Sequence, residues 1–162
     1  MNVGLRPATS DDLQSLSELA LRSKGHWGYD EEFLAACKSE LTLTHDRLAS
    51  ELIVVADIDG DRMGYFALAV RPPGSDLVDL FVEPDAIGTG IGRLLWDTML
   101  KRAVASGAAW VEIEADPNAT DWYLRRGAKH VGSVPSGSMP GRVLPILRVE
   151  VGEQRSVSRA PF

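Results

Sequence analysis

Three glycines at alternate positions, Gly88, Gly90 and Gly92, lead from an apolar run ending at Val82 into a helical pattern. The absent Cβ atoms let a ligand approach the backbone, and free φ angles let successive N–H groups converge on one oxyanion. A helix entered directly from such a turn adds its unpaired first-turn N–H groups and the positive end of its dipole. The predicted chemistry is the holding of a phosphate or pyrophosphate. Two common nucleotide motifs do not fit. Counting G-x-x-x-x-G-K-S/T from Gly88 puts Arg93 at the second glycine, with no following Lys. A dinucleotide fingerprint starting from Gly88 and Gly90 also needs glycine at 93.

Acids punctuate the run before the turn. Period two places Leu77, Asp79, Phe81 and Glu83 on one face and Val78, Leu80 and Val82 on the other. Glu83, beside the loop, is the first candidate for a proton acceptor, Asp79 the second and Asp76 the third. The plain alternative is that these acids solvate an exposed strand end.

The run resembles the coenzyme A motif of the GNAT superfamily of acyl-CoA-dependent N-acetyltransferases. Its strand, Leu-aromatic-Val-x-Pro, corresponds to Leu80-Phe81-Val82-Glu83-Pro84, and its Gln/Arg-x-x-Gly-x-Gly/Ala to the stretch from Ile87 to Gly92. Ile87 stands where the family usually has Gln or Arg, leaving the backbone amides as the constant element. Further on, Asn118, Tyr123, Gly127 and Ala128 match a second family pattern of Asn, Tyr and a glycine opening the next strand. The resemblance spans about residues 3 to 151. It implies that acetyl-CoA, as co-substrate and without a metal, is held by Leu80, Phe81, Val82, Ile87, Gly88, Thr89, Gly90, Ile91, Gly92, Arg93, Asn118 and Tyr123.

Acetyl transfer from a thioester to an amine has three requirements. An alkylammonium with a pKa near about 10.4 must lose a proton before it can attack. The oxyanion of the tetrahedral intermediate needs donors, and the leaving thiolate needs a proton. The resemblance nominates main-chain groups of Leu80, Phe81 and Val82 for pantetheine and oxyanion, and the Tyr123 phenol for the thiolate. A packed Tyr with its hydroxyl at the surface is the structural alternative. For the acceptor, His26, Trp27 and Tyr29 lie in the loop between the first two helices, which in this fold covers the acceptor pocket, and Arg142 comes from the opposite wall. Aromatics can box a cationic or apolar group and Arg142 can pair with a carboxylate. The structural alternatives are packing between helices for Trp27 and Tyr29, a plain surface position for His26 and a salt-bridged loop anchor for Arg142.

The expected function is transfer of the acetyl group to a primary amine of a small molecule or amino-acid-like acceptor, by direct attack in a ternary complex. A non-catalytic acyl-CoA-binding sensor domain and a protein or peptide N-acetyltransferase are the alternatives.

The elements that must position these residues follow from the pattern. Val3 to Ala8 reads as a strand, and Thr9-Ser10-Asp11-Asp12 as the start of a first helix carrying Leu13, Leu16, Leu19 and Ala20. Two glycines break the pattern before Asp30 caps a second helix with Phe33, Leu34, Cys37 and Leu41. Glu51 to Ile58 and Met63 to Val70 form a hairpin about Asp59-Gly60, and Pro72-Pro73-Gly74 reverses the chain into the Asp76 strand. After the glycine turn come a helix ending near Gly107, a strand from Ala108 to Ala115, a short helix from Pro117 to Arg126, and strands from Lys129 to Val134 and from Val143 to Val151, the last interrupted at Pro145. The fold class is α/β, an α+β mixed sheet of the GNAT type. It is mostly antiparallel, with a central parallel, splayed strand pair and helices on both faces. Residues 1–151 are expected to form one domain and 152–162 a C-terminal tail.

The chain has 162 residues, 44% of them hydrophobic and 25% charged, which is ordinary for a globular domain. A net charge of −6 argues against a nucleic-acid partner, since such proteins present a basic face. Cys37 is the single cysteine, which rules out an internal disulfide. With no signal-like start and no long apolar run, the cytoplasm is the expected compartment and no membrane partner is expected. The family resemblance adds homodimerisation as an expectation.

Overall fold

The computed structural model describes residues 2–152, so the expected tail, apart from Gly152, lies outside the described residues. The element order is β1 (Gly4–Pro7), α1 (Leu13–Gly25), α2 (Glu31–Leu41), α3 (His45–Ser50), β2 (Leu52–Ile58), β3 (Asp61–Arg71), β4 (Gly74–Val82), α4 (Ile91–Ala105), β5 (Trp110–Glu114), α5 (Thr120–Leu124), β6 (Lys129–Pro135) and β7 (Val143–Glu150). The strands form one seven-stranded sheet in the order β1-β2-β3-β4-β5-β7-β6. β4 and β5 are its parallel pair, with Gly74, Ser75 and Asp76 opposite Trp110, Val111 and Glu112. The expected mixed, mostly antiparallel sheet is therefore observed. Contacts divide the chain into two compact units, each built from two segments.

The first unit comprises residues 1–68 and 79–98. Its core is the apolar stripe of α1 (Leu13, Leu16, Leu19, Ala20) packed with Phe33, Cys37 and Leu41 of α2 on Ile53, Val55, Tyr65 and Ala67 of β2 and β3. Neighbouring strand residues Val54, Ala56, Phe66 and Leu68 are buried as well, so both faces of these strands are covered. That is why their sequence reads as nearly continuous apolar runs rather than alternation. Asp59 and Gly60, with φ of 52° and 86°, close the hairpin between β2 and β3 as the Asp-Gly signal requires. The Asp30 carboxylate caps α2 by accepting from Phe33 N at 2.8 Å.

Two departures from the sequence reading occur in this unit. α1 runs through Gly25, one glycine further than the broken periodicity suggests. A third helix, α3, precedes β2, its N-terminus capped by Thr44 Oγ1 accepting from Arg47 N at 3.1 Å. α3 buries no residue fully, so it lacks the apolar stripe by which a helix is recognised in sequence.

The second unit comprises residues 69–78 and 99–162, described to 152. β7 lies between β5 and β6, pairing antiparallel with each. Pro145 does not interrupt β7, which stays paired through Ser133 of β6. Its carbonyl accepts from Ala115 N at 2.9 Å, so its own nitrogen faces the same side, just past the end of β5, where no ladder donor is needed. α5 is shorter than the expected Pro117 to Arg126 helix, and Gly127, at φ 99°, ends the turns that follow it. Gly74 is required by close approach. A Cβ there would lie 2.3 Å from Trp110 Nε1 and 2.4 Å from Cε2 of the same indole. Gly74→Ala is expected to cost about 1–3 kcal/mol by overpacking, measurable as a lower urea midpoint with an unchanged m-value.

Candidate functional site

The glycine turn belongs to the first unit. From Pro84–Ala86, a single 3-10 turn, the chain passes exposed Ile87 into Gly88 and Gly90, whose φ angles of 85° and 94° are left-handed. Ile91 is buried and anchors the helix, and Leu94 N donates to the Gly90 carbonyl at 3.0 Å as the first turn of α4 closes. The N–H groups of Ile91, Gly92 and Arg93 come before the first bond of α4 and so have no partner within the helix. Gly92 is already helical, leaving Gly88 and Gly90 as the two positions where the backbone itself requires glycine. A Cβ on either would meet no atom within 4 Å, so the turn is open to an occupant. Exposed Arg93 makes no ion pair among the described residues and adds a positive charge at the helix start. This donor set suits a pyrophosphate.

The strand before the turn is held from below by β3. A Cβ at Gly64 would come 2.9 Å from the Phe81 carbonyl and 3.0 Å from Leu95, so glycine there lets β3 lie close against β4 and α4. Leu80, Phe81 and Val82 are half-buried, and the Phe81 ring lies 6.0 Å from that of Tyr65. Glu83 N donates to the Met63 carbonyl at 2.8 Å, which continues the β3–β4 pairing to the point where the turn begins.

The acids have separate environments. Asp79 is 4% exposed, and its Oδ2 accepts from Arg47 Nη2 at 2.8 Å and from the Tyr65 hydroxyl at 3.0 Å. Arg47 also grips Glu51 with two hydrogen bonds of 2.8 Å, an i,i+4 pair at the end of α3. Burial pushes the Asp79 carboxyl above the ordinary carboxylate value, opposed by the Arg47 charge and the hydrogen bonds from Arg47 and Tyr65. Burial, and then the Asp79 charge, push the Tyr65 phenol well up. Burial works against the charge of Arg47, but Glu51 and Asp79 outweigh it and hold the guanidinium ionised. An acceptor amine cannot reach Asp79 without opening this core. The face bearing Leu77, Asp79 and Phe81 thus packs inward.

Glu83 sits at the rim. Arg22 of α1 takes it side-on, with Nε 3.2 Å from Oε2 and Nη2 on Oε1. The guanidinium is 53% exposed and the carboxylate 20%. At the end of the same helix His26 and Trp27 stack edge to face at 5.5 Å, and Trp27 is 46% exposed, so it does not fill an interhelical core. Tyr29 does pack inward, 4.2 Å from Phe33 with Lys24 over its ring.

Asp76, Asn118, Tyr123 and Arg142 belong to the second unit. Asp76 pairs with Arg71 at the surface. Tyr123 is buried on α5, edge to face with Trp122 at 5.2 Å. Asn118 N donates to Asp116 Oδ1 at 2.8 Å, and Arg142 lies 3.4 Å from Asp116 Oδ2, so Asp116 ties the β5–α5 turn to the β6–β7 loop. Three charged or polar partners, Arg22, Arg47 and Tyr65, were not singled out from sequence. The Thr44 cap and the Arg47/Glu51 spacing were the available signal for Arg47. For Arg22 and Tyr65, distant in sequence from β4, there was none.

Residues 14–136 match the family model described as an acetyltransferase (GNAT) domain. The chain belongs to the GNAT acetyltransferase family. No curated protein matches the sequence. Among solved structures, the PaiA N-acetyltransferase of Thermoplasma acidophilum, in complex with coenzyme A, is 20% identical with a TM-score of 0.77 over 93% of this chain and 99% of that one. A GCN5-related N-acetyltransferase of Rhodopseudomonas palustris is 22% identical with a TM-score of 0.76 over 93% and 96%. YncA of Salmonella typhimurium, with acetyl-CoA, is 20% identical with a TM-score of 0.67 over 94% and 96%. These likenesses carry the GNAT fold. Among the described residues no helix is long and apolar enough to cross a membrane.

Removing Arg47 from this GNAT chain leaves Asp79 and Glu51 without their cation. Arg47→Met is expected to cost about 3–5 kcal/mol near neutral pH, the range for breaking a buried pair from one side. An acid whose folded pKa is raised contributes its stability below its unfolded pKa and loses it as pH rises through the folded value. The variant's deficit in thermal denaturation should therefore shrink as pH falls from 8 toward 5 (about one unit above the free carboxylate value).

Proposed function

We propose that this chain is an acetyl-CoA-dependent N-acetyltransferase acting on a primary amine, and that residues 1–151 act as a single domain. The observation that carries the reading is the open, left-handed Gly88/Gly90 turn running into the first turn of α4, in a chain of the GNAT family. The coenzyme, when bound, supplies the activated acyl thioester. The amides from Gly88 to Arg93 would hold its pyrophosphate, with Arg93 adding charge. Main-chain groups of Leu80, Phe81 and Val82 would orient the pantetheine arm and polarise the carbonyl. Ile87, 45% exposed, offers no polar contact, so the backbone amides carry the anion.

Two steps fall to side chains. Glu83, at the rim, takes the proton from the attacking ammonium, directly or through a water, and Tyr123 protonates the departing thiolate. Asp79 is assigned a positioning role, keeping β4 fixed through Arg47 and Tyr65. The small-molecule acceptor reading is supported by the His26–Trp27 rim at the end of α1.

Acceptor-dependent release of free CoA, followed by thiol titration, tests this reading. Tyr123→Phe should lower kcat about 100-fold, the lower end of general-acid effects, with CoA affinity nearly unchanged. Gly90→Val should weaken CoA binding more than tenfold in calorimetry, with a stability cost of only about 1–2 kcal/mol for a left-handed branched residue. CoA binding without turnover on any amine would instead favour a sensor domain, and unchanged turnover in both variants would overturn the assignments.

A further inference from the structure

Arg22 is engaged on one edge only. Its contact with Glu83 is side-on, through Nε and Nη2, which leaves the Nη1 hydrogens and one on Nη2 undirected. Those remaining donors form the end-on fork of the guanidinium, the geometry that receives a carboxylate with two parallel hydrogen bonds. The group is 53% exposed, and among the described residues it hydrogen-bonds to no side chain but Glu83. The Glu83 contact fixes the plane of the fork and keeps it charged, raising the Arg22 pKa further. The other end of the same pair is the carboxylate that closes β4, immediately before the turn to Gly88.

An anion and a cation are thus held side by side at one rim, with partly exposed faces. A chain of net charge −6 repels a free carboxylate, so an anionic acceptor needs a local cation of this kind. We propose that Arg22 is a specificity-determining residue that receives the carboxylate of an amino-acid-like acceptor while Glu83 receives its ammonium. This rests on the acetyltransferase reading above, because it places the amine at the β4 end assigned to the thioester. The acceptor class is then a free amino acid or other aminocarboxylate, rather than a simple amine or a chain-internal lysine whose nearest carboxyl is an amide.

The test is calorimetry on the full chain saturated with CoA. The probes are alanine, glutamate, lysine and phenylalanine, each alongside its decarboxylated amine and its carboxamide. At least one amino acid is expected to bind ten times more tightly than both of its matched probes. Arg22→Gln should erase that ratio while leaving CoA affinity within twofold, since an exposed pair contributes little to the fold. Arg22→Lys should recover only part of it, because an ammonium lacks the fork. Equal binding of acids, amines and amides, survival of the ratio in Arg22→Gln, or no amino acid binding to the CoA-loaded protein would each overturn the inference. Failure of CoA itself to bind would overturn the acetyltransferase reading first, and so separates the two.

Discussion

A carboxylate buried in β4 constrains how the first unit is built. Asp79 lies in the middle of β4, on the face that the sheet turns toward α1 and α2, where an isolated charge is prohibitive. It is tolerated because Arg47 and the Tyr65 hydroxyl meet it at hydrogen-bond distance. Arg47 must in turn be delivered from a fixed place, and α3, with its Thr44 cap and its Arg47–Glu51 pair, is the element that delivers it. α3 buries no residue fully; Leu48 packs against the core in part, and Arg47 supplies the cation.

A second acid stands just past the end of the same strand, in a different circumstance. Glu83 is three-quarters or more shielded, yet it lies at the rim and faces a guanidinium that remains half in solvent. The Asp79 pair is expensive to open and suits a structural part, whereas the Glu83 pair is screened by water and can exchange partners readily. Two carboxylates four residues apart thus have different surroundings, one sealed into the core and one paired at the edge of the fold. Depth, which differs along a strand as it leaves the core, makes the difference.

The turn that follows is governed by backbone stereochemistry. Left-handed φ at Gly88 and Gly90 brings the chain from β4 into α4, and Gly64 lets β3 support the strand from close range. Three glycines therefore do different jobs: two bend the turn and one permits packing. Ile87 contributes neither and is exposed.

Much of this was legible in the sequence. The glycine turn, the Asp-Gly hairpin, the Asp30 cap and the order of the strands were determined by the sequence alone, because each depends on local rules: φ freedom, capping geometry, and periods of 2 or 3.6 residues. Period two groups Asp79 with the apolar Leu77 and Phe81, all of which the structure buries wholly or in part. What only the tertiary structure decided is which partners those faces meet. Arg22 stands 61 residues before Glu83 and Arg47 stands 32 before Asp79. No local pattern reports a contact at that separation, so the full burial of one acid, the partial exposure of the other and the cation assigned to each followed from packing.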